Sequence, residues 1–263
     1  MIKFCSLYSG SSGNCLFIHS KHTRLLIDAG VSCKKIGEAL DSIGESISDI
    51  DAILVTHEHS DHIQGIGTTS QKFDIPVYAN EKTWNAMEKQ RAKIDSNNIH
   101  IFENDQDFQL NDLTIHPFST PHDAANPCGF NIHNGNKRLS IATDLGHMNN
   151  QLISELYTSS FVFLEANYDL EILKASRYPY PLKQRISGPH GHLSNDTAGK
   201  TIHNLLLKKD LKEVMLGHLS KENNFPELAY QTVANQLIEN HADLENIGLS
   251  VANRYEPSKI VNL

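Results

Sequence analysis

The sequence predicts an α/β layered protein. Short apolar runs alternate with amphipathic helical stretches, and each later apolar run ends in a histidine or an aspartate. The first three runs are Ile2 to Leu7, Cys15 to His19 and Thr23 to Ile27. Ser9-Gly-Ser-Ser-Gly-Asn14 and the turn Ser20 to His22 separate them, so the chain opens on a meander. Helical periodicity covers Lys34 to Ser42, Glu81 to Lys89, Gln151 to Tyr157, Asn195 to Lys208 and Glu227 to Asn240. Of the later runs, Ala52-Ile-Leu-Val55 leads into Thr56-His57, Leu139-Ser-Ile-Ala142 into Thr143-Asp144, and Val214-Met-Leu216 into Gly217-His218. Leu113 to Phe118 likewise leads to Thr120-Pro-His122-Asp123. Polar residues at strand ends sit on loops held by a rigid sheet, the usual place for chemistry.

At 263 residues the chain has room for one large core, and no break in composition divides it, so a single domain spanning residues 1–263 is expected. An apolar fraction of 39% and a charged fraction of 21% exclude disordered and fibrous classes. No signal pattern and no run of about twenty apolar residues is present, which points to the cytoplasm and to no membrane partner. Cys5, Cys15, Cys33 and Cys128 are far apart and lack CxxC spacing, so they read as reduced thiols. A formal charge of −8 argues against indiscriminate coating of a polyanion, while leaving room for one basic groove. The 15 histidines are the compositional anomaly.

The densest cluster is His57-Glu58-His59-Ser60-Asp61-His62, directly after a buried strand. In an extended segment His57 and His59 project to one side, and a helix starting after Ser60 brings Asp61 and His62 back beside them. Packing alone does not explain four such side chains together, since each needs a polar partner. Metal binding accounts for them; a solvated surface cluster is the alternative.

Followed by His122, Asp144 and His218, this motif resembles the metallo-β-lactamase superfamily. The resemblance implies an αββα four-layer sandwich. It also implies two divalent ions, one on His57, His59 and His122, the other on Asp61, His62 and His218, with Asp144 bridging. Asp28, closing Leu25-Leu-Ile-Asp28-Ala-Gly30, matches the family's first motif and is assigned to orienting a ligand imidazole. Redox members of the superfamily carry Glu where His59 stands, so hydrolysis is implied. Nitrogen and oxygen donors suit zinc or manganese, with iron also compatible. Two ions about 3.5–4 Å apart turn water into a bridging hydroxide at neutral pH. Water is then the nucleophile, and Cys128 has a structural part.

The substrate reading rests on Ser187-Gly-Pro-His-Gly-His192-Leu-Ser194-Asn195, a turn opening an amphipathic helix with Ala198, Ile202, Leu205 and Leu206 inward. Ser194 fits the N-cap, and Ser194 and Asn195 lie where free amides meet a phosphate, with His192 placed to protonate a leaving oxygen. Asp61 and His192 are thus the catalytic candidates. The plainer alternative is a capped helix with solvated histidines. Upstream, Lys174, Arg177, Lys183 and Arg185 with Tyr178 and Tyr180 form a basic, aromatic strip that suits a phosphodiester backbone, or simple loop packing. Ser11, in the Gly-rich loop, offers an amide to a phosphate or belongs to a plain hairpin connection.

Leu7 to Cys15, Glu165-Ala-Asn-Tyr-Asp169, Gly191 to Asn195 and Leu216 to Ser220 narrow the resemblance to the YycJ/WalJ type within that superfamily. This implies a metal-dependent exonuclease running 5′ to 3′ on DNA, linked to repair, with Glu165 supporting the ligands. Relatives often have His where Tyr168 stands here. Gly146 to Ser187 is too short for a β-CASP insertion. Three readings follow: a phosphodiesterase acting on DNA rather than RNA, a small-molecule ester, thioester or lactone hydrolase, and a metal-bound protein without catalysis. No sequence feature fixes an oligomeric state.

Overall fold

Apolar and aromatic side chains cluster in three runs of the first thirty residues and form three strands, β1 (Lys3–Tyr8), β2 (Cys15–His19) and β3 (Arg24–Ile27). They pair antiparallel, with Phe4 opposite Ile18 and Leu16 opposite Ile27, as the expected meander requires. The computed structural model describes residues 2–208, 210–241 and 247–263. Backbone contacts divide the chain into two units. The first holds the chain up to Ser119 with 124–136 and 253–263; the second holds 120–123 and 137–252.

In the first unit, Ser32 caps helix α1 (Cys33–Ser42) through a bond from the Lys35 amide, and α1 buries Ile36, Ala39 and Leu40. The chain then turns parallel: β3 pairs with β4 (Ala52–Leu54), β4 with β5 (Val77–Asn80), and β5 with β6 (Ile99–Phe102). The C-terminal strand Val261–Asn262 completes the other edge against β1. Helices α2 (Ser60–Ile63), α3 (Ile66–Phe73), α4 (Glu81–Ala86) and α5 (Glu88–Arg91) fill the connections. Phe17, Leu26, Ile53, Val77 and Trp84 belong to one buried core with Ile36 and Leu40. The helix expected over Glu81 to Lys89 breaks at Met87, whose backbone leaves the helical region while its side chain is buried. Burying Met87 as well as Trp84 turns the chain, a demand of packing that periodicity does not reveal. An antiparallel group follows, β7 (Phe108–Leu110), β8 (Leu113–Ser119) and β9 (Cys128–Asn134).

The second unit carries four parallel strands in the order β10 (Lys137–Ala142), β11 (Phe161–Glu165), β12 (Glu213–Gly217) and β13 (Gly248–Val251). Asn149 caps α6 (Asn150–Leu156). The segment read as a basic strip is instead two short helices, α7 (Leu170–Ala175), capped by Asp169, and α8 (Tyr180–Ile186). Pro179 and Pro181 fall at the N-cap and first turn of α8, where a missing amide costs nothing. Helix α9 (Asn195–Leu206) buries Ala198, Ile202 and Leu205 as expected, while Leu206 is only half-buried. Helix α10 (Pro226–Glu239) packs against α9. Among the described residues no helix is long and apolar enough to cross a membrane.

Candidate metal centre

In the first unit the motif His57 to His62 follows β4, and α2 begins at Ser60, so the turn expected there is present. The rings of His57 and His59 meet edge to face at 4.7 Å, and those of His57 and His62 lie 4.1 Å apart. Asp28 ends β3 beside this loop, with its backbone in the left-handed region at φ 60°. Its Oδ1 accepts from the Thr56 amide at 2.8 Å, and its Oδ2 accepts from Thr56 Oγ1 at 2.8 Å and His62 Nδ1 at 2.7 Å. Having given its proton to Asp28, Thr56 Oγ1 can only accept from His57 Nδ1, 3.0 Å away. A neutral ring that donates from Nδ1 keeps its lone pair on Nε2, so one buried carboxylate sets the tautomer of two imidazoles.

Asn14 fixes the same loop from the Gly-rich turn. Its backbone amide donates to the Asp61 carbonyl at 2.8 Å, and its Nδ2 lies 3.0 Å from His62 Nε2 and 3.4 Å from Asp61 Oδ2. Its Oδ1 accepts from the Gly10 amide at 2.8 Å. Gly30 passes so close that an added Cβ would sit 1.6 Å from the Asp61 carbonyl oxygen, so only glycine fits. Sequence reasoning missed Asn14 and Thr56. The Gly-rich turn pointed to Ser11, which is exposed, while the residue that reaches the motif is three positions later.

In the second unit Asp144, Glu165 and His218 lie at the carboxyl ends of the parallel strands β10, β11 and β12. Gly217, before His218, is required because a Cβ there would lie 2.0 Å from the Phe163 ring. Glu165 is fully buried. Its Oε1 accepts from His192 Nδ1 at 2.7 Å and His218 Nδ1 at 2.9 Å; its Oε2 accepts from the amides of Leu145 and Leu193 at 2.8 and 3.1 Å. Asp144 Oδ1 lies 3.5–3.6 Å from nitrogens of His122, His192 and His218. Donor atoms of Asp144, Glu165, His192 and His218 all fall within 4.8 Å of one another. Asp144 and His218 both adopt positive φ, 56° and 53°, a costly backbone that functional sites retain.

His122 is held from the 188–191 turn: its Nδ1 donates to the Gly191 carbonyl at 2.9 Å, and the Asp123 amide donates to the His190 carbonyl at 3.0 Å. Burial pushes the His122 imidazole below the ordinary histidine range, more than the Asp144 carboxylate raises it. Burial would also lower His192, but the charge and hydrogen bond of Glu165 outweigh it and hold that ring above the ordinary range. For Glu165, burial pulls upward and is outweighed by His192 and His218, so its carboxyl stays below the usual range.

Chemically, both clusters fit a divalent metal. Each offers nitrogen and oxygen donors only, buried or half-buried, with Nδ1 of His57, His62, His122 and His218 already committed to an acceptor. Glu165 already accepts four hydrogen bonds.

Several residues expected to contact substrate have internal partners in the structure. Asn195 is fully buried and exchanges amide hydrogen bonds with Asn224 at 2.8 and 3.1 Å, so no phosphate reaches it. Ser194 caps α9, accepting from the Thr197 amide at 3.2 Å and meeting Thr197 Oγ1 at 3.0 Å, which commits its hydroxyl internally. Lys183 donates to the carbonyls of Lys174 and Ser176 at 2.6 and 2.7 Å, satisfying the C-terminus of α7 instead of a substrate. Lys174 pairs with Glu171 at 2.8 Å. Arg185 donates to Asp123 at 2.6 Å yet stays largely exposed, and Arg177 and Tyr180 are exposed.

A family model described as "Beta-lactamase superfamily domain" matches residues 23–215. The chain is similar to Exodeoxyribonuclease WalJ of Streptococcus pneumoniae, 42% identical over 244 residues, covering 92% of this chain and 90% of that protein. Its identity to Exodeoxyribonuclease YycJ of Bacillus anthracis is 38% over 238 residues, 90% of each. Among solved structures it is similar to the metallo-beta-lactamase fold protein YhfI from Bacillus subtilis, with a TM-score of 0.70 at 15% identity, covering 98% of this chain and 100% of that one.

Proposed function

The chain belongs to the beta-lactamase superfamily and, within it, to the family of the exodeoxyribonucleases WalJ and YycJ; on that premise we propose that it is a metal-dependent phosphodiester hydrolase that shortens DNA from the 5′ end. It has the α/β metallo-β-lactamase fold, and a single domain over residues 1–263 belongs to the proposal. A cytoplasmic location and a setting in DNA repair belong to the same reading.

His57, His59 and His122 would hold one divalent ion and Asp61, His62 and His218 a second, with Asp144 between them, in the order the family motif dictates. Such ions, zinc or manganese with iron also compatible, supply an activated water at neutral pH and neutralise charge on the attacked phosphorus centre. Asp28 and Glu165 keep the ligand imidazoles in one tautomer and one orientation. Asp61 is placed in the motif to accept the proton of the attacking water. The observation that carries the proposal is His192. It lies beside Asp144 without belonging to the expected donors, and Glu165 accepts from its Nδ1 at 2.7 Å and fixes the ring's orientation. An imidazolium so held delivers its Nε2 proton to the departing oxygen of a phosphodiester.

One observation favours a second reading. Lys183 and Lys174 are tied to the protein's own groups, so the basic strip is smaller than the sequence suggested. A small-molecule ester, thioester or lactone hydrolase would need no such strip. End-labelled DNA is the test, given to the protein with manganese or zinc alongside a thioester and a lactone. Stepwise, metal-dependent shortening that is lost in His192→Ala is expected. Intact DNA with a hydrolysed thioester or lactone would transfer the assignment to the second reading.

A further inference from the structure

In the first unit a cleft of about 600 Å³ opens between α2 and the corner where α4 meets α5. That volume lies in the range of small-ligand sites, about 300–1,000 Å³. One wall is Glu58, Ser60, Ile63 and Gln64; the other includes Met87, Glu88 and Lys89. Glu58 and Ser60 alternate with His57, His59 and Asp61, so the wall of the cleft and the donor motif are the same stretch of chain.

Ile63 and Met87 are buried and give the cleft an apolar surface, whereas Gln64, Glu88 and Lys89 are exposed around it. Glu58 is oriented by the Ala125 amide, which donates to its Oε1 at 2.7 Å, while its sheltered Oε2 has no hydrogen-bond partner. An unpaired carboxylate oxygen beside apolar side chains calls for an N–H donor, which excludes a bare anion as the occupant. Gln64 adds both a donor and an acceptor, and Lys89 adds a cation at the rim.

We propose that this cleft binds one nucleobase of the DNA substrate next to the bond being cut, and that it prefers bases with an exocyclic amine over thymine. The base face rests on Ile63 and Met87, its amine faces the carboxylates, Gln64 reads its edge, and Lys89 meets a backbone phosphate. This rests on the DNA-hydrolase reading above and extends it to sequence preference.

The experiment is binding of labelled oligo(dC) and oligo(dT) of equal length to the full, metal-free chain, read by fluorescence anisotropy. The parent should bind oligo(dC) about tenfold more tightly than oligo(dT). Gln64→Ala should shrink that ratio, and Lys89→Glu should weaken both oligonucleotides alike; both positions are exposed, so folding is retained. Equal binding of the two by a parent that cuts DNA, or an unchanged ratio in Gln64→Ala, overturns the cleft assignment and leaves the nuclease reading standing. A parent that neither binds nor cuts DNA overturns both.

Discussion

Two buried carboxylates do the same job in different parts of the chain. Asp28 stands beside a motif of six consecutive residues and commits its oxygens to Thr56 and His62. Glu165 gathers His192 and His218 with the amides of Leu145 and Leu193, groups drawn from three separate segments. In the first case the chain's own continuity brings the imidazoles together, so the carboxylate needs only to set tautomers. In the second the carboxylate also holds the segments in register, and its loss removes more. A buried acceptor serving four donors is therefore worth more to a site than one serving a pre-assembled loop.

The largest expected effect comes from removing a donor in either region. His59→Ala and Asp144→Ala should each abolish hydrolysis and lower bound metal, measured by elemental analysis, while circular dichroism stays that of the parent. Full activity in either variant would break the parallel between the two regions.

Next comes the contrast itself. Glu165→Gln and Asp28→Asn should each reduce metal affinity or turnover, on the order of 10–100-fold, with the Glu165 change the more severe. Asn tolerates the positive φ of residue 28, so the comparison reads charge and hydrogen bonding rather than backbone strain. A greater loss in Asp28→Asn would reverse the argument.

The smallest effect sharpens the contrast from outside the site. Glu45 is also shared between two partners, His19 and Arg24, each at 2.9 Å. Burial pulls its carboxyl upward, but the bond from Arg24 and the charge and bond of His19 outweigh this and hold it below the usual range. A depressed carboxyl stabilises the fold fully above the ordinary glutamate range, and that contribution fades as pH falls through the lower folded value. Glu45→Gln should therefore cost about 1 kcal/mol at pH 7 and less at pH 4, with hydrolysis unaffected. Urea midpoints at the two pH values check it; a constant difference would show that the pair does not titrate with folding.

The difference between the regions also explains what the sequence could be made to say. The meander, the strand ends and the run His57 to His62 were legible because their signals are local: alternation, turn residues, and four donors within one short stretch. Asn14 was not legible, since its value lies in a contact with a residue 48 positions later in the chain. The basic strip misled for the same reason. Lys174 and Lys183 look like a groove in a row of letters, but α7 and α8 fold so that Lys183 reaches back to the carbonyls ending α7. Asn195 looked available at a helix start and is instead half of a buried amide pair with Asn224.

By itself the sequence determined the α/β class, the donor types and their order along the chain, because these follow from side-chain chemistry and periodicity. Only the tertiary structure decided which oxygen fixes which imidazole, where a Cβ has no room, and which cations remain open to a substrate. Those depend on distances between segments far apart in the chain, and a hydrogen bond is made or lost within a fraction of an ångström.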